Sequence, residues 1–394
     1  MVNILGINLS TLNRTELLSR LDSFLNSGKS HYLVTPNPEI ILRANKDEEY
    51  FFVLNSADLA IADGFGLVLA GLLRGQIIPR ITGSDLTPLL LKKAEQEQIK
   101  TLIINWDSGL SKAEDINTTL KTLYPKLVFK VIDTPKKINL TAEEREQINS
   151  FEPALVFTAL GAPYQEKLIW HEIKNLPSVR LALAVGGSFD FLTKKIKRAP
   201  RLMRRLGIEW LWRLISQPQR INRIWQATVV FGLKVLKDNF ILPLLYRSNV
   251  AVMLYKKTSA GIKILIVART SDPSHWQMPQ GGRDHESIEA AGIREAREEL
   301  GTDKFIVKKT FKNVYDYNFK KLGKEKKYRK SGYKGQRQSL MIAEFTGDDS
   351  DIKINFWDHV AWKWIDIDKL FETVHPYRQG GVKEFLPYFL KTIN

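Results

Sequence analysis

The stretch GGRDHESIEAAGIREAREELGT, residues 281–302, decides the fold of the C-terminal third. Within it Arg294, Glu295, Glu298 and Glu299 form an R-E-x-x-E-E run inside a helical pattern. Glu295 precedes Glu298 by three residues and Glu299 by four, so a helix puts all three carboxylates on one face. Like charges at that spacing repel, and an ordinary solvated face would intersperse Lys. A cluster of hard oxygen donors suits Mg²⁺ or Mn²⁺, ions that usually hold substrate phosphates as well. Gly281 and Gly282 permit a tight loop ahead of the helix, and Gly301 is placed to stop it. The alternative is a plain solvated acidic face.

Around this helix, from about Asn249, the chain alternates strand-like runs: 250–257, 262–269, 339–346 and 359–366. Upstream, to about residue 190, the pattern differs. Short β-rich runs at 31–37, 58–64, 101–106, 127–133, 154–161 and 181–187 alternate with periodic helices such as SDLTPLLLKKAEQ (84–96). That alternation predicts an α/β fold with a parallel sheet and helices on both faces. Ligands in such folds bind at the carboxyl ends of the strands. Thr35, Asn37, Asp63, Gly161, Gln165, Gly186 and Asp190 all fall at those ends.

Between the two regions lies a basic segment. Residues 194–247 hold thirteen Lys and Arg against Glu209 and Asp238, and so carry +11 of the net +16. Trp210, Trp212 and Trp225 and two apolar stretches are interleaved with the charge. A basic helix with Trp and Leu opposite its charges fits the interface of an anionic membrane. A core helix with a solvated basic face is the alternative. The organisation expected is therefore 1–195, a Rossmann-like core; 196–247, a basic helical appendage; and 248–394, a third domain.

The composition narrows the classes. With 44% hydrophobic and 26% charged residues the chain is globular. The absence of Cys excludes a disulfide framework, Cys-ligated zinc and thiol catalysis. The opening residues lack a basic n-region followed by an apolar core, and no apolar run is long enough to span a bilayer, so a cytoplasmic protein is expected.

Residues 281–302 resemble the Nudix box, G-x5-E-x7-R-E-U-x-E-E-x-G-U. Glu286, Arg294, Glu295, Glu298, Glu299 and Gly301 match; the loop from Gly281 to Glu286 is one residue short, and Thr302 replaces an aliphatic residue. The resemblance implies an α+β Nudix domain, an α/β/α sandwich on a mixed sheet. Glu295, Glu298 and Glu299 would be its metal ligands, with Glu298 catalytic; Gly281, Gly282, Glu286, Arg294 and Gly301 would be structural. Trp276 to Gly282, with Gly335-Gln336-Arg337-Gln338 and Trp362-Lys363-Trp364, is similar to the RNA pyrophosphohydrolase and dinucleoside polyphosphate hydrolase branch. Gln280 and Arg337 would then bind a nucleotide or polyphosphate. The basic, Tyr-containing stretch 320–334 suits the same substrates, or is a plain Lys-rich loop.

A second resemblance covers roughly residues 1–240. Thr35-Pro36-Asn37-Pro38-Glu39, Ala62-Asp63-Gly64, Gly83-Ser84-Asp85, Gly161 to Lys167, Gly186 to Asp190, Lys197 to Pro200 and Glu209 to Leu214 occur in that order. The series resembles the WecG/TagA/CpsF glycosyltransferases. It implies transfer of an N-acetylmannosamine-like sugar from a UDP-sugar to a polyprenyl-diphosphate-linked acceptor, in bacterial cell-surface polysaccharide synthesis. Asp63 would be the general base and Thr35 would position substrate. Asn37, Gly161, Gln165, Gly186, Gly187 and Asp190 would bind substrate, and Arg213, Arg220 and Arg223 would contact membrane and diphosphate. No cofactor is expected for this domain. For Asp63 alone, a turn role before Gly64 is the alternative. Two departures stand out: Asn105 to Gly109 replaces a Gly-rich turn, and Thr193-Lys194 replaces a small Ala-Gly pair. The whole reads as a bifunctional enzyme, peripheral on the inner face of the membrane, with a homo-oligomer as a further candidate state. Its rivals are a chain with one catalytic half and one binding module, and an RNA-directed pyrophosphohydrolase with a basic nucleic-acid-binding segment.

Overall fold

The computed structural model describes all residues except 201, 204–206, 217, 284, 320–331 and 394, and leaves out the side chains of Arg213, Ser216 and Arg220. The expected roles of the Arg213 and Arg220 side chains, and of the basic loop from Lys320 to Ser331, therefore lie outside the described part. The chain forms two compact units, Met1–Asn239 and Phe240–Asn394.

The first unit opens with an antiparallel hairpin, β1 (Val2–Ile4) and β2 (Ile7–Leu9). A six-stranded sheet follows: β3 (His31–Val34), β4 (Leu59–Ala60), β5 (Thr101–Trp106), β6 (Phe129–Thr134), β7 (Leu155–Ala159) and β8 (Leu181–Ala184). Its order is β4-β3-β8-β7-β5-β6, and every pair is parallel. Both faces are covered, so the strands read as near-continuous apolar runs. Along β5, Leu102 and Ile104 enter one core with Ile41, Tyr50 and Leu168, while Ile103 enters the other with Leu17, Leu86 and Leu120. Each such buried side chain contributes roughly 1.5–3 kcal/mol. Helices α1 (Arg14–Leu25), α2 (Pro38–Ala44), α3 (Glu48–Asn55), α4 (Phe65–Leu72) and α5 (Gly83–Gln96) come before β5. After it come α6 (Ala113–Leu123), α7 (Ala142–Phe151), α8 (Tyr164–His171) and α9 (Ser188–Leu192). Strand β3 stops at Val34, short of the expected 37, because Pro36 and Pro38 have no N–H for a ladder.

The basic segment is helical but broken. It contains the helices Glu209–Ser216, Ile221–Trp225 and Phe231–Leu236, with a π-helical turn at Gln226–Val230. Phe231 and Val235 bury themselves in the core shared with α2 and α3. No helix among the described residues is long and apolar enough to cross a membrane.

The second unit is a mixed sheet. Its strands are β9 (Tyr246–Thr258), β10 (Gly261–Arg269), β11 (Asp272–Gln277), β12 (Gln280–Gly282), β13 (Phe305–Asn318), β14 (Gly335–Phe345) and β15 (His359–Asp366). The main path runs β11-β10-β9-β14-β13, with β12 on β9 and β15 on β10; β9 and β14 are parallel and the other pairs antiparallel. The central strand β9 alternates its faces. Val250, Val252 and Leu254 pack under the carboxylate helix Ile288–Leu300, while Ala251, Met253 and Tyr255 pack against the C-terminal helix Pro376–Ile393.

Candidate active sites

Because every strand of the first sheet runs the same way, the loops after β3, β4, β5, β7 and β8 emerge on one edge. The residues of the transferase-like motifs meet there. The site sits at the carboxyl ends of the strands where β3 adjoins β8, the edge at which ligands of such sheets bind. Thr35 donates its buried hydroxyl to Ala184 O at 3.0 Å and so ties the two strand ends together. The Asp63 N–H donates to Pro36 O at 2.9 Å, which joins the base candidate to the Thr35–Glu39 loop. Gly64 follows at φ 134°, a conformation that favours glycine, and a Cβ there would stand 3.2 Å from Pro38. Asn37 caps α2, accepting from the Ile40 N–H at 2.9 Å.

Gln165 braces two of the glycine loops. Its buried Oε1 accepts from the Gly161 N–H at 3.1 Å and the Gly186 N–H at 3.0 Å, while its Nε2 donates to Glu166 at 2.8 Å. Both side-chain atoms are thus committed within the protein. Burial pushes the Glu166 carboxyl up. Asp190, beside Gly187, accepts from Ser111 N and Ser111 Oγ at 3.1 and 2.7 Å, which anchors the loop after β5. Asn105, the first residue of the departing turn, donates to Ser111 O and Asp133 Oδ1.

The basic segment reaches the same edge through ion pairs. Arg223 grips Glu39 with contacts of 3.0 Å, just beyond Asn37. Arg80 pairs with Glu209 at 2.6 Å, and Arg198 pairs with Asp85 at 2.5 Å. Burial raises the Asp85 carboxyl, but hydrogen bonds from Thr82 and Arg198 outweigh it and hold the group below its ordinary range.

In the second unit the three carboxylates lie on the helix Ile288–Leu300, which Ser287 caps and Gly301 ends at φ 65°. Arg294 ties two of them to the loop before the helix. It donates to Glu286 at 2.9 Å, Glu295 at 2.8 Å, Glu298 at 3.1 Å and Gly282 O at 2.7 Å, so it closes the shortened loop onto the helix. Gly281 lies directly on Glu295: a Cβ there would fall 1.8 Å from the carboxylate. Burial first, and the Glu299 charge second, push the Glu295 carboxyl up to about 8 against the pull of Arg294. Glu299 accepts from the Gln280 N–H at 3.1 Å and faces the buried His359 at 3.2 Å. Glu298 is half exposed at the open side. The set fits a divalent cation, because its repulsion is what a shared positive ion would relieve.

Other expected residues are placed differently. Arg337 makes a two-pronged pair with Asp316 across β13 and β14. Thr302 is buried and its hydroxyl accepts from Lys304 N at 3.2 Å, so the polar residue is satisfied where an aliphatic one was expected.

A model of the glycosyl transferase WecG/TagA/CpsF family matches residues 2–243. The chain belongs to that family. A NUDIX domain model matches residues 245–389, so the glycosyltransferase is joined to a Nudix hydrolase domain. Among curated relatives, a protein of Bacillus subtilis (strain 168) is 32% identical over 56% of this chain and 88% of its own. One of Staphylococcus aureus (strain MRSA252) is 29% identical over 60% and 92%. Both are named N-acetylglucosaminyldiphosphoundecaprenol N-acetyl-beta-D-mannosaminyltransferase. Among solved structures, a C. elegans Ap4A hydrolase binary complex is 19% identical over 37% of this chain and 98% of that one, with a TM-score of 0.29.

Around Gln280 the Nudix unit also gathers polar residues that its sequence did not mark. The Gln280 amide lies 2.8 Å from Gln338 Nε2 and 3.1 Å from both terminal nitrogens of Arg378. Arg378 donates to the Tyr317 hydroxyl at 2.9 Å and to His275 at 3.4 Å. Burial, then Arg378, drive the His275 imidazole down to about 3, and it stacks on His375 at 4.0 Å. Asp272 completes this cluster. The rings accept from Arg378 and from Tyr377 N, so in their neutral forms the remaining nitrogens carry protons. Asp272, His275 and His375 bring one potential ligand atom each to within 4.8 Å of one another.

Proposed function

We propose that the transferase unit moves an N-acetylmannosamine-type sugar from a UDP-sugar to a polyprenyl-diphosphate-linked acceptor. The single observation that carries this reading is the convergence of the family's motifs on one sheet edge, joined by the Thr35–Ala184, Asp63–Pro36 and Gln165 bonds. The names of the relatives support the sugar and the acceptor. In this reading Asp63 takes the proton of the acceptor hydroxyl as its oxygen bonds the sugar carbon and the bond from that carbon to UDP breaks, UDP leaving with the electron pair. Thr35 fixes the loop that holds it. Asn37, the Gly161, Gly186 and Gly187 loops and Asp190 shape the donor pocket, with Gln165 holding the loops rather than touching substrate. Arg213 and Arg220 would offer guanidinium forks to diphosphate, and Arg223 joins them only if a diphosphate displaces Glu39. The protein works at the inner face of the cell membrane, held by the basic segment at 196–247, and needs no cofactor for this step.

For the Nudix unit the reading is hydrolysis of a nucleoside-diphosphate-linked substrate. Glu295, Glu298 and Glu299 would hold Mg²⁺ or Mn²⁺, which when bound neutralises developing charge on phosphate and acidifies water. Arg294 and Glu286 keep the loop closed on those carboxylates, and Gln280 lies beside them on the substrate side. Arg337 is spoken for by Asp316 and takes part only if a polyphosphate displaces that partner.

Two assays on the full chain test this. Lipid-linked disaccharide formation is measured from UDP-N-acetylmannosamine and polyprenyl-diphosphate N-acetylglucosamine. Phosphate release with Mg²⁺ is measured over diadenosine polyphosphates, triphosphorylated RNA, UDP-sugars and nucleoside triphosphates. Turnover lost in Asp63→Asn and Glu298→Gln, each in its own assay, supports the reading. No disaccharide from this or any related UDP-sugar would overturn the transferase half, and no turnover across the panel would leave the Nudix unit a binding module.

A further inference from the structure

Helix α4 begins two residues after Asp63 and contains no charged side chain: FGLVLAGL. Its inner face, Leu67, Ala70 and Gly71, is buried. Its outer face is not. Phe65, Leu69, Leu72 and Leu73 form a stripe at helical spacing, each exposed by 38–52%, and Ile77 in the following turn is 77% exposed. An apolar helix face beside the candidate base calls for an occupant.

The neighbouring helix indicates which occupant. Phe231 lies 3.7 Å from where a Cβ on Gly66 would stand, near the start of α4. Arg74, just past its end, bonds Asp238 and Asn239. The helix Phe231–Leu236 therefore runs parallel to α4 and lies along it. It buries Phe231 and Val235 and exposes Leu233 and Leu236, with the exposed cations Lys234 and Lys237 between and beside them. Together the two helices make a ridge of exposed leucines rimmed by Lys, continuous with the helix that exposes Trp225.

We propose that this ridge is a second lipid-binding surface, which seats α4 in the headgroup region of an anionic bilayer and holds Asp63 at the level of a membrane-linked acceptor. The inference rests on the membrane reading of the basic segment and extends it onto the catalytic core. Leucines that enter the acyl boundary beside Lys that meet anionic headgroups are the two contributions such a surface needs. A second copy of the chain is the competing occupant, and the oligomeric state decides between them.

The chain has no Cys, so Leu72→Cys gives a unique site for an environment-sensitive fluorophore, with Trp225→Cys as the appendage reporter. The probe is the full-length protein with vesicles of phosphatidylglycerol and phosphatidylcholine, against phosphatidylcholine alone. Both labels should shift to the blue on anionic vesicles, and Leu69→Glu with Leu72→Glu should cut vesicle partitioning roughly tenfold or more. Ile77→Glu, outside the helix, should cut it less and guards against a folding defect. A shift at 225 without one at 72 overturns the proposal and leaves the membrane reading standing. No shift at either site sinks both. If the Glu variants break up an oligomer in light scattering without changing partitioning, the ridge is an interface between copies and the proposal fails.

Discussion

The two units build their sites in opposite ways. The Nudix unit concentrates its chemistry on one helix, where Glu295, Glu298 and Glu299 lie within five residues and the first two share Arg294. The transferase unit spreads its chemistry over loops that the chain reaches up to about 150 residues apart, as in the Thr35–Ala184 bond. A cation needs several like charges at close range, and one helical turn supplies them locally. Sugar transfer needs a cleft bordered by several loops, and only a folded sheet edge supplies that. The concentrated site should therefore fail through charge, and the spread site through geometry.

The sharpest break of this comparison is a cross-over of variants. Asp63→Asn should lower sugar transfer by about 10²–10⁴-fold, the usual worth of a general base, and leave phosphate release at the wild-type rate. Glu298→Gln should do the reverse, on the order of 10³-fold, since a metal's charge stabilisation is worth several kcal/mol. Parallel rate measurements on each full-length variant check both. Loss of both activities in either variant would mean that the two sites are coupled.

Geometry dependence is tested at Gln165. Gln165→Leu keeps the volume but strands the Gly161 and Gly186 N–H groups, now held at 3.1 and 3.0 Å. A lost partner of this kind costs about 1–3 kcal/mol, so Tm should fall by about 2–4 °C per kcal/mol. Transfer should fall with it while phosphate release stays. A variant with unchanged Tm but weaker donor binding would make Gln165 a substrate contact after all.

Charge dependence is tested by pH. Burial and Glu299 raise the Glu295 carboxyl to about 8 from its ordinary 4.5. Glu298 and Arg294 face it on its own helix, and His359 reaches the same cluster through Glu299. Its folded-state value lies above its unfolded one. Metal-free stability on this account is therefore full below pH 4.5 and declines as pH rises through about 8. A cation must displace that proton, so Mg²⁺ affinity should rise by about tenfold per pH unit below 8. Calorimetric titration with Mg²⁺ between pH 6 and 9 measures the slope, and Glu295→Gln should flatten it.

The same contrast decides what could be read from the sequence. The carboxylate helix was legible because its pattern is local. The parallel sheet was legible because both faces are buried and the strands are apolar throughout. Strand β13 was not: its Lys-rich sequence breaks register twice against β14, which erases the two-residue period. Strand β11 opens with Asp-Pro-Ser and looks like a turn. The Arg378, Tyr317 and His275 group is invisible locally, because β11, β13 and the C-terminal helix meet only in the folded sheet. Among the transferase residues, the motif order pointed to Asp63, but no local signal separated the brace Gln165 from a ligand contact.

The smallest effect comes from one backbone conformation that both units use. The Nudix helix ends on Gly301 at φ 65°, where glycine carries no steric penalty. In the transferase unit, α9 ends at Leu192 and two residues later Lys194 adopts φ 59° with its side chain exposed. A residue with a Cβ pays about 1–2 kcal/mol there. Lys194→Gly should relieve that strain, and Tm should rise by about 2–4 °C per kcal/mol recovered. If the charge at 194 is idle, sugar transfer stays at the wild-type rate. If transfer falls while Tm rises, the left-handed turn is kept to aim an ammonium group next to Asp190 and the donor loops, and the spread site then contains a charge that its geometry alone does not explain.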